Sequence, residues 1–108
     1  MTKILVMQYQ IIYTANAREH IRYVEKKYRS LIRSEIEKKL VNEPQVITRN
    51  RKLLGQSWVF GTWELRCGPE NRFRIFYDVN DDTSVVFITA IGIKRRNRLY
   101  IGHQEVQL

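Results

Sequence analysis

The amino-acid sequence predicts an α+β fold, a small and mainly antiparallel β-sheet with two N-terminal helices packed on one face. Three observations predict it. Between Trp63 and Tyr100, the runs WELRCG, NRFRIFYDV and SVVFITAIGIKRRNRLY alternate apolar and polar residues and are separated by turn formers. Between Asn16 and Val41, apolar residues recur at spacings of three and four, the pattern of one helical face. The 108 residues contain no linker, repeat or low-complexity tract, so residues 1–108 read as a single domain.

In chain order, Ile4 to Tyr13 is rich in β-branched and aromatic residues and predicts a first strand, bounded by Thr14-Ala15-Asn16. Asn16 followed by Glu19 matches a capping box and starts the helical region. The helical face is Ile21, Val24, Tyr28, Leu31, Ile32, Ile36 and Leu40. As one helix it would be roughly 39 Å long at about 1.5 Å per residue, longer than the about 35 Å breadth of so small a domain. Two helices broken near Lys26 to Tyr28 fit better, although no Gly or Pro marks the break. Asn42-Glu43-Pro44 ends the region, because Pro44 disfavours helix in the residue before it. Gln45 to Gly61 reads as a loop holding a short strand. Gly68-Pro69-Glu70-Asn71 and Asn80-Asp81-Asp82-Thr83 read as hairpin connections, which sets three strands in meander order. Gly92 is expected to end the third strand, Lys94 to Arg98 to form a basic turn, and Gly102 to Leu108 to add a short edge strand.

A period of two sorts the strand residues by face. Trp63, Leu65 and Cys67 point one way and Glu64 and Arg66 the other. Phe73, Ile75, Tyr77 and Val79 point to the core and leave Arg72, Arg74 and Phe76 outside. The outer surface is therefore cationic and partly aromatic. With 19 Lys and Arg against 11 Asp and Glu, the net charge is +8 and the pI is near 9.9. That balance favours polyanions such as RNA, DNA or an acidic protein partner.

Other classes are excluded on composition. Cys67 is the sole cysteine, which rules out a disulfide framework and places an inert thiol on the apolar side of a strand. Gln8 and Gln10 interrupt the apolar N-terminal stretch, unlike a signal peptide, and no run reaches the roughly 20 apolar residues of a membrane span. The expected location is the cytoplasm. His20 and His103 have no further ligand at metal spacing, and no Gly-rich phosphate loop or serine-nucleophile pattern is present. No metal or cofactor is expected.

The order of strand, two helices and three antiparallel strands carries further motifs. These are Thr48-Arg49-Asn50-Arg51-Lys52-Leu53, Trp63-Glu64-Leu65-Arg66, Phe73-Arg74-Ile75-Phe76-Tyr77-Asp78-Val79, and Ala90-Ile91-Gly92 through Lys94 to Asn97-Arg98-Leu99-Tyr100. Together they resemble the RelE/ParE superfamily of toxins from type II toxin–antitoxin modules, over nearly the whole chain. The resemblance implies a small sheet backed by two helices. It implies one of two targets: RelE-type toxins cut mRNA in the ribosomal A site, whereas ParE-type toxins poison DNA gyrase. It also implies a cognate antitoxin that wraps the toxin. Arg74 matches the arginine that RelE-type enzymes place on the scissile phosphate, Arg66 a basic position on the preceding strand, Lys94 a position usually held by arginine, and Tyr100 a tyrosine implicated in catalysis. Those nucleases place lysines on the strand before Leu65-Arg66, where this chain has Thr62 and Glu64.

The expected chemistry is metal-independent RNA cleavage that stops translation. A base takes the 2′-OH proton, cations stabilise the phosphorane, and an acid protonates the leaving 5′-oxygen. Arg74, Arg66, Lys94, Tyr100 and Glu64 are the candidate catalytic residues. Arg74 and Arg66 suit phosphate because a guanidinium binds it in a planar fork. Glu64 is either a general base or a salt-bridge partner of a neighbouring arginine. Arg49, Arg51 and Lys52, with Arg72, Arg95, Arg96 and Arg98, are the candidate nucleic-acid-binding residues. The rival function is a non-nucleolytic toxin acting on DNA gyrase, and a further rival is a basic binding module without toxicity.

Overall fold

An eleven-residue strand rich in β-branched side chains, Val85–Arg95, organises the chain. The computed structural model describes residues 8–54 and 60–107. Its elements are β1 (Gln10–Tyr13), α1 (Ala15–His20), α2 (Lys26–Leu40), β2 (Arg51–Leu53), β3 (Trp63–Cys67), β4 (Phe73–Asn80), β5 (Val85–Arg95), β6 (Arg98–Ile101) and β7 (Gln104–Val106). The sheet runs β2-β3-β4-β5-β6-β7 with antiparallel neighbours. β4 takes one edge of β5. The other edge is shared, with β1 parallel to Val85–Ile88 and β6 antiparallel to Gly92–Arg95.

Between β1 and β6 no strand of the described residues lies beside the edge of β5, and Thr14 and His20 fill the seam. The Thr14 N–H and Oγ1 each donate to the Ile88 carbonyl at 3.0 Å. The Ile91 N–H donates to His20 Nδ1 at 3.2 Å. Thr14 therefore begins α1: its Oγ1 also accepts from the Ala17 N–H at 3.2 Å. The helix starts two residues before the capping box expected at Asn16, because Thr14 is held by the sheet as well as by the helix. The predicted strand over Ile4 to Tyr13 is seen as Gln10–Tyr13, and residues 1–7 lie outside the described residues.

The seam makes stability depend on pH. His20 must be neutral at Nδ1 to accept from Ile91, and burial lowers its pKa below the ordinary 6.5. On acidification the unfolded chain binds a proton at His20 before the folded chain does. The contribution of His20 to stability is thus fully present above about pH 6.5 and is lost as pH falls towards the lowered folded value. Thermal melts from pH 7.5 to 5 are expected to show the melting midpoint falling in the wild type more than in His20→Gln, which offers an acceptor without titrating. Parallel pH profiles for the two proteins would contradict this role.

The helical region breaks at Val24 and Glu25, whose ψ angles of 136° and 137° are extended. Arg29 explains a break with no Gly or Pro: its Nε donates to the Val24 carbonyl and its Nη2 to the Arg22 carbonyl, both at 3.0 Å. These contacts satisfy carbonyls that a terminating helix leaves free. Ile32, Ile36 and Leu40 of α2 are fully buried against the sheet face that carries Leu65, Ile75, Tyr77 and Ile91. Cys67 belongs to this core, and burial pushes its thiol up to about 12, the inert state expected of it.

The opposite face differs from expectation. Phe76 is not an outer aromatic. It is fully buried in a second cluster with Ala90, Leu99 and Ile101, flanked by Leu54, Phe60 and Val106. Gly92 does not end β5, which continues through Lys94 to Arg95. The turn is the pair Arg96-Asn97, both at positive φ (50° and 67°), as a tight two-residue hairpin requires. Gly92 is small for a packing reason: a Cβ there would lie 2.9 Å from Leu99 Cδ1. The expected short strand of the 45–61 loop is β2, the expected tail strand is β7, and residues 55–59 lie outside the described residues.

Candidate functional site

The alternation of β3, β4 and β5 places Glu64, Arg66, Arg74 and Lys94 on the sheet face away from the helices. There they line a cavity of about 270 Å³ together with Lys52, Leu54 and Leu99. Lys52 enters because β2 pairs with β3 in the register Lys52↔Glu64. Leu54 and Leu99 form an apolar wall that sequence patterning does not single out. Among the described residues, four cations thus surround one carboxylate.

Arg66 and Arg74 lie directly opposite each other across β3 and β4, an arrangement in which like charges repel. Glu64 relieves it. Its Oε1 accepts from Arg66 Nε at 2.8 Å and lies 3.6 Å from Arg74 Nη1. Arg74 is aimed by a second contact, from its Nε to the Asn71 carbonyl at 3.1 Å. That carbonyl belongs to a turn in which Glu70 and Asn71 both have positive φ. Burial, then the Arg66 charge, lowers the Arg74 pKa, and Glu64 opposes the shift. A guanidinium starts so far above neutrality that it stays cationic. Arg74 and Glu64 are only 8% and 5% exposed, so both charges act where water screens them weakly.

A neighbouring cavity of about 290 Å³ shares Arg74 and Lys94 and adds Glu70, Arg72, Arg96 and Asn97. The two form a continuous basic track. Arg72 also lies over the Tyr28 ring at 5.8 Å, which ties it to α2.

Tyr100 is not brought to this group. β6 pairs Tyr100 with Ile93 and Leu99 with Lys94, so Leu99 faces the cavity and Tyr100 the opposite side. There Tyr100 lines a further cavity of about 570 Å³ with Arg95, Arg96 and Arg98, which meets the basic track at Arg96. Arg98 makes an ion pair with Glu105 at 3.7 Å. The His103 ring lies tilted against Tyr23, with centroids 5.2 Å apart.

Arg51, expected on the cationic surface, is buried on the helix side in register with Leu65. Its Nη1 donates to the Glu43 carbonyl, and the Tyr77 hydroxyl donates to the Pro44 carbonyl at 2.6 Å. The two side chains clamp the segment that follows α2, so Arg51 is a structural cation. Arg49 is exposed in the turn before β2 and lines neither basic cavity.

Residues 9–98 match the family model described as the ParE toxin of the type II toxin–antitoxin system parDE. Among solved structures the chain is similar to the crystal structure of the toxin–antitoxin complex RelBE2 from Mycobacterium tuberculosis. The identity is 23% and the TM-score 0.63, covering 81% of this chain and 99% of that one. At that identity the likeness establishes the fold, two helices on a mostly antiparallel open sheet. No curated protein sequence matches the chain significantly.

Proposed function

The chain belongs to the ParE toxin family of type II toxin–antitoxin systems, and from that premise we propose that it is a ribosome-dependent mRNA endonuclease that inhibits translation. The observation that carries the reading is the cavity in which Lys52, Arg66, Arg74 and Lys94 surround Glu64. The lysines absent at Thr62 and Glu64 have counterparts there, because Lys52 arrives from the neighbouring strand and Lys94 from β5.

In this reading Arg74 and Arg66 hold the scissile phosphate and stabilise the charge that builds on its oxygens. Lys94 and Lys52 add positive charge, and either ammonium can supply a proton to the leaving 5′-oxygen. Glu64 is the one carboxylate lining the cavity among the described residues, and so the acceptor for the 2′-OH proton. Tyr100, on the opposite face, takes no part in proton transfer. Its cluster with Arg95 and Arg98 is a second surface for a polyanion. The working partner is a cognate antitoxin, as the related structure is itself a toxin–antitoxin complex.

A second reading is a non-nucleolytic toxin acting on DNA gyrase. The description of the matched family and the distance of Tyr100 from the cavity favour it. Primer extension on mRNA from ribosomes exposed to the purified chain separates the two. New 5′ ends at A-site codons are expected. Their absence, together with gyrase-dependent DNA breaks in the same cells, would replace the nuclease by the gyrase reading.

A further inference from the structure

We propose that Glu64 is a displaceable internal counter-ion, which holds an oxyanion position between Arg66 and Arg74 in the free protein and yields it to an entering phosphate. The inference rests on reading the cavity as a phosphate site. It adds a device that sets how tightly that site binds and when its carboxylate becomes available.

Three features of the cavity carry it. Arg66 and Arg74 are directly opposed across two strands, and this placement needs an anion between them. Glu64 supplies only part of one. Its Oε1 is within hydrogen-bonding distance of Arg66 at 2.8 Å, whereas Arg74 Nη1 stands off at 3.6 Å, an ion pair without a hydrogen bond. A tetrahedral phosphate, with several oxygens, can engage both guanidinium groups by forked contacts that one carboxylate oxygen cannot make.

The second feature is the surplus charge. Lys52 and Lys94 line the same cavity, and among the described residues neither forms an ion pair. One carboxylate does not neutralise four cations, so the cavity remains attractive to a further anion. The third is a destination for the carboxylate. Lys52 sits directly across β2 and β3 from Glu64, so a displaced Glu64 has a cation to turn to without leaving the site. Phosphate entry then converts Glu64 from the partner of two arginines into a carboxylate beside the bound group. Binding itself would put the proton acceptor in place.

The test titrates the full chain with inorganic phosphate, followed by NMR, and with a labelled single-stranded deoxyoligonucleotide, followed by anisotropy. The oligonucleotide has no 2′-OH, so binding is read apart from cleavage. Glu64→Gln keeps an oxygen for Arg66 Nε and removes the competing charge. It is expected to bind about tenfold tighter than wild type, since a unit charge a few ångströms away is worth at least that at a weakly screened site. Arg74→Ala is expected to lose binding. Tightening with both probes assigns the site to phosphate groups generally, and tightening with the oligonucleotide alone assigns it to the phosphodiester chain. Either result upholds Glu64 as the competing anion, and the wild-type resonances decide displacement. Unchanged or weaker binding by Glu64→Gln, with binding still lost in Arg74→Ala, overturns the counter-ion and leaves the phosphate reading standing. Indifference of both variants overturns both. If Glu64→Gln does not fold, the wild type still decides. On phosphate addition the Arg66 Nε–H and Glu64 carboxylate resonances should move together with Arg74, and a response of Arg74 alone counts against displacement.

Discussion

Expression of the chain alone is expected to arrest bacterial growth, and Arg74→Ala to restore it while keeping a cooperative melt: this is the largest functional effect expected. Arg74 sits at the meeting of the two basic cavities and is aimed by the Asn71 carbonyl and the Glu64 carboxylate. Removing one charge-stabilising donor from a preorganised site costs about 10²–10³-fold in rate. The structural loss is smaller, one side chain–backbone hydrogen bond and one ion pair, on the order of 1 kcal/mol. Arg74→Lys keeps the charge and loses the fork, so intermediate activity is expected. Growth counts under induced expression, with thermal melts of the purified variants, check the pair. Full toxicity in a folded Arg74→Ala protein would remove this cavity from the mechanism.

The largest structural effect is expected one residue along, at Ile75→Ala. Ile75 is fully buried on the helix side, in register with Leu65 on β3 and Ile91 on β5. Truncating such a residue removes buried apolar surface and leaves a cavity, at a cost of about 2–5 kcal/mol. A domain of this class has a total stability of about 5–15 kcal/mol, so the variant should melt far below the wild type or fail to accumulate. Toxicity is then lost through unfolding. Arg74→Ala and Ile75→Ala are both expected to abolish growth arrest, but only the second to move the folding transition seen by circular dichroism far below that of the wild type. A stable Ile75→Ala protein would mean that the core between α2 and the sheet is not where the register places it.

Much of the fold was legible because it is written in local periods. Alternation in WELRC and FRIFY placed Glu64, Arg66 and Arg74 on one face and Leu65 and Ile75 on the other, as observed. The 3–4 spacing of Ile32, Ile36 and Leu40 marked the buried side of α2. Turn formers at Gly68 and Asn80 bounded β4. The break at Val24 and Glu25 was legible only as a need for one, since Arg29 stabilises it from five residues away.

The sequence by itself determined the fold class, the element order and the face of each residue within its own strand, because helix and strand periods are properties of adjacent residues. Only the tertiary structure decided how those faces line up between strands. A two-residue turn at Arg96-Asn97 pairs Arg95 with Arg98 and therefore sends Tyr100 away from Arg74. A turn one residue longer would have flipped it to the other face, because side-chain parity changes with every residue of register. The same dependence brought Lys52 beside Glu64 and buried Arg51 beneath the sheet. It also covered Phe76 with Leu54 and Phe60, residues 16 or more positions distant in the chain. Register and cover arise from pairings between segments far apart in sequence, and no period within one strand contains them.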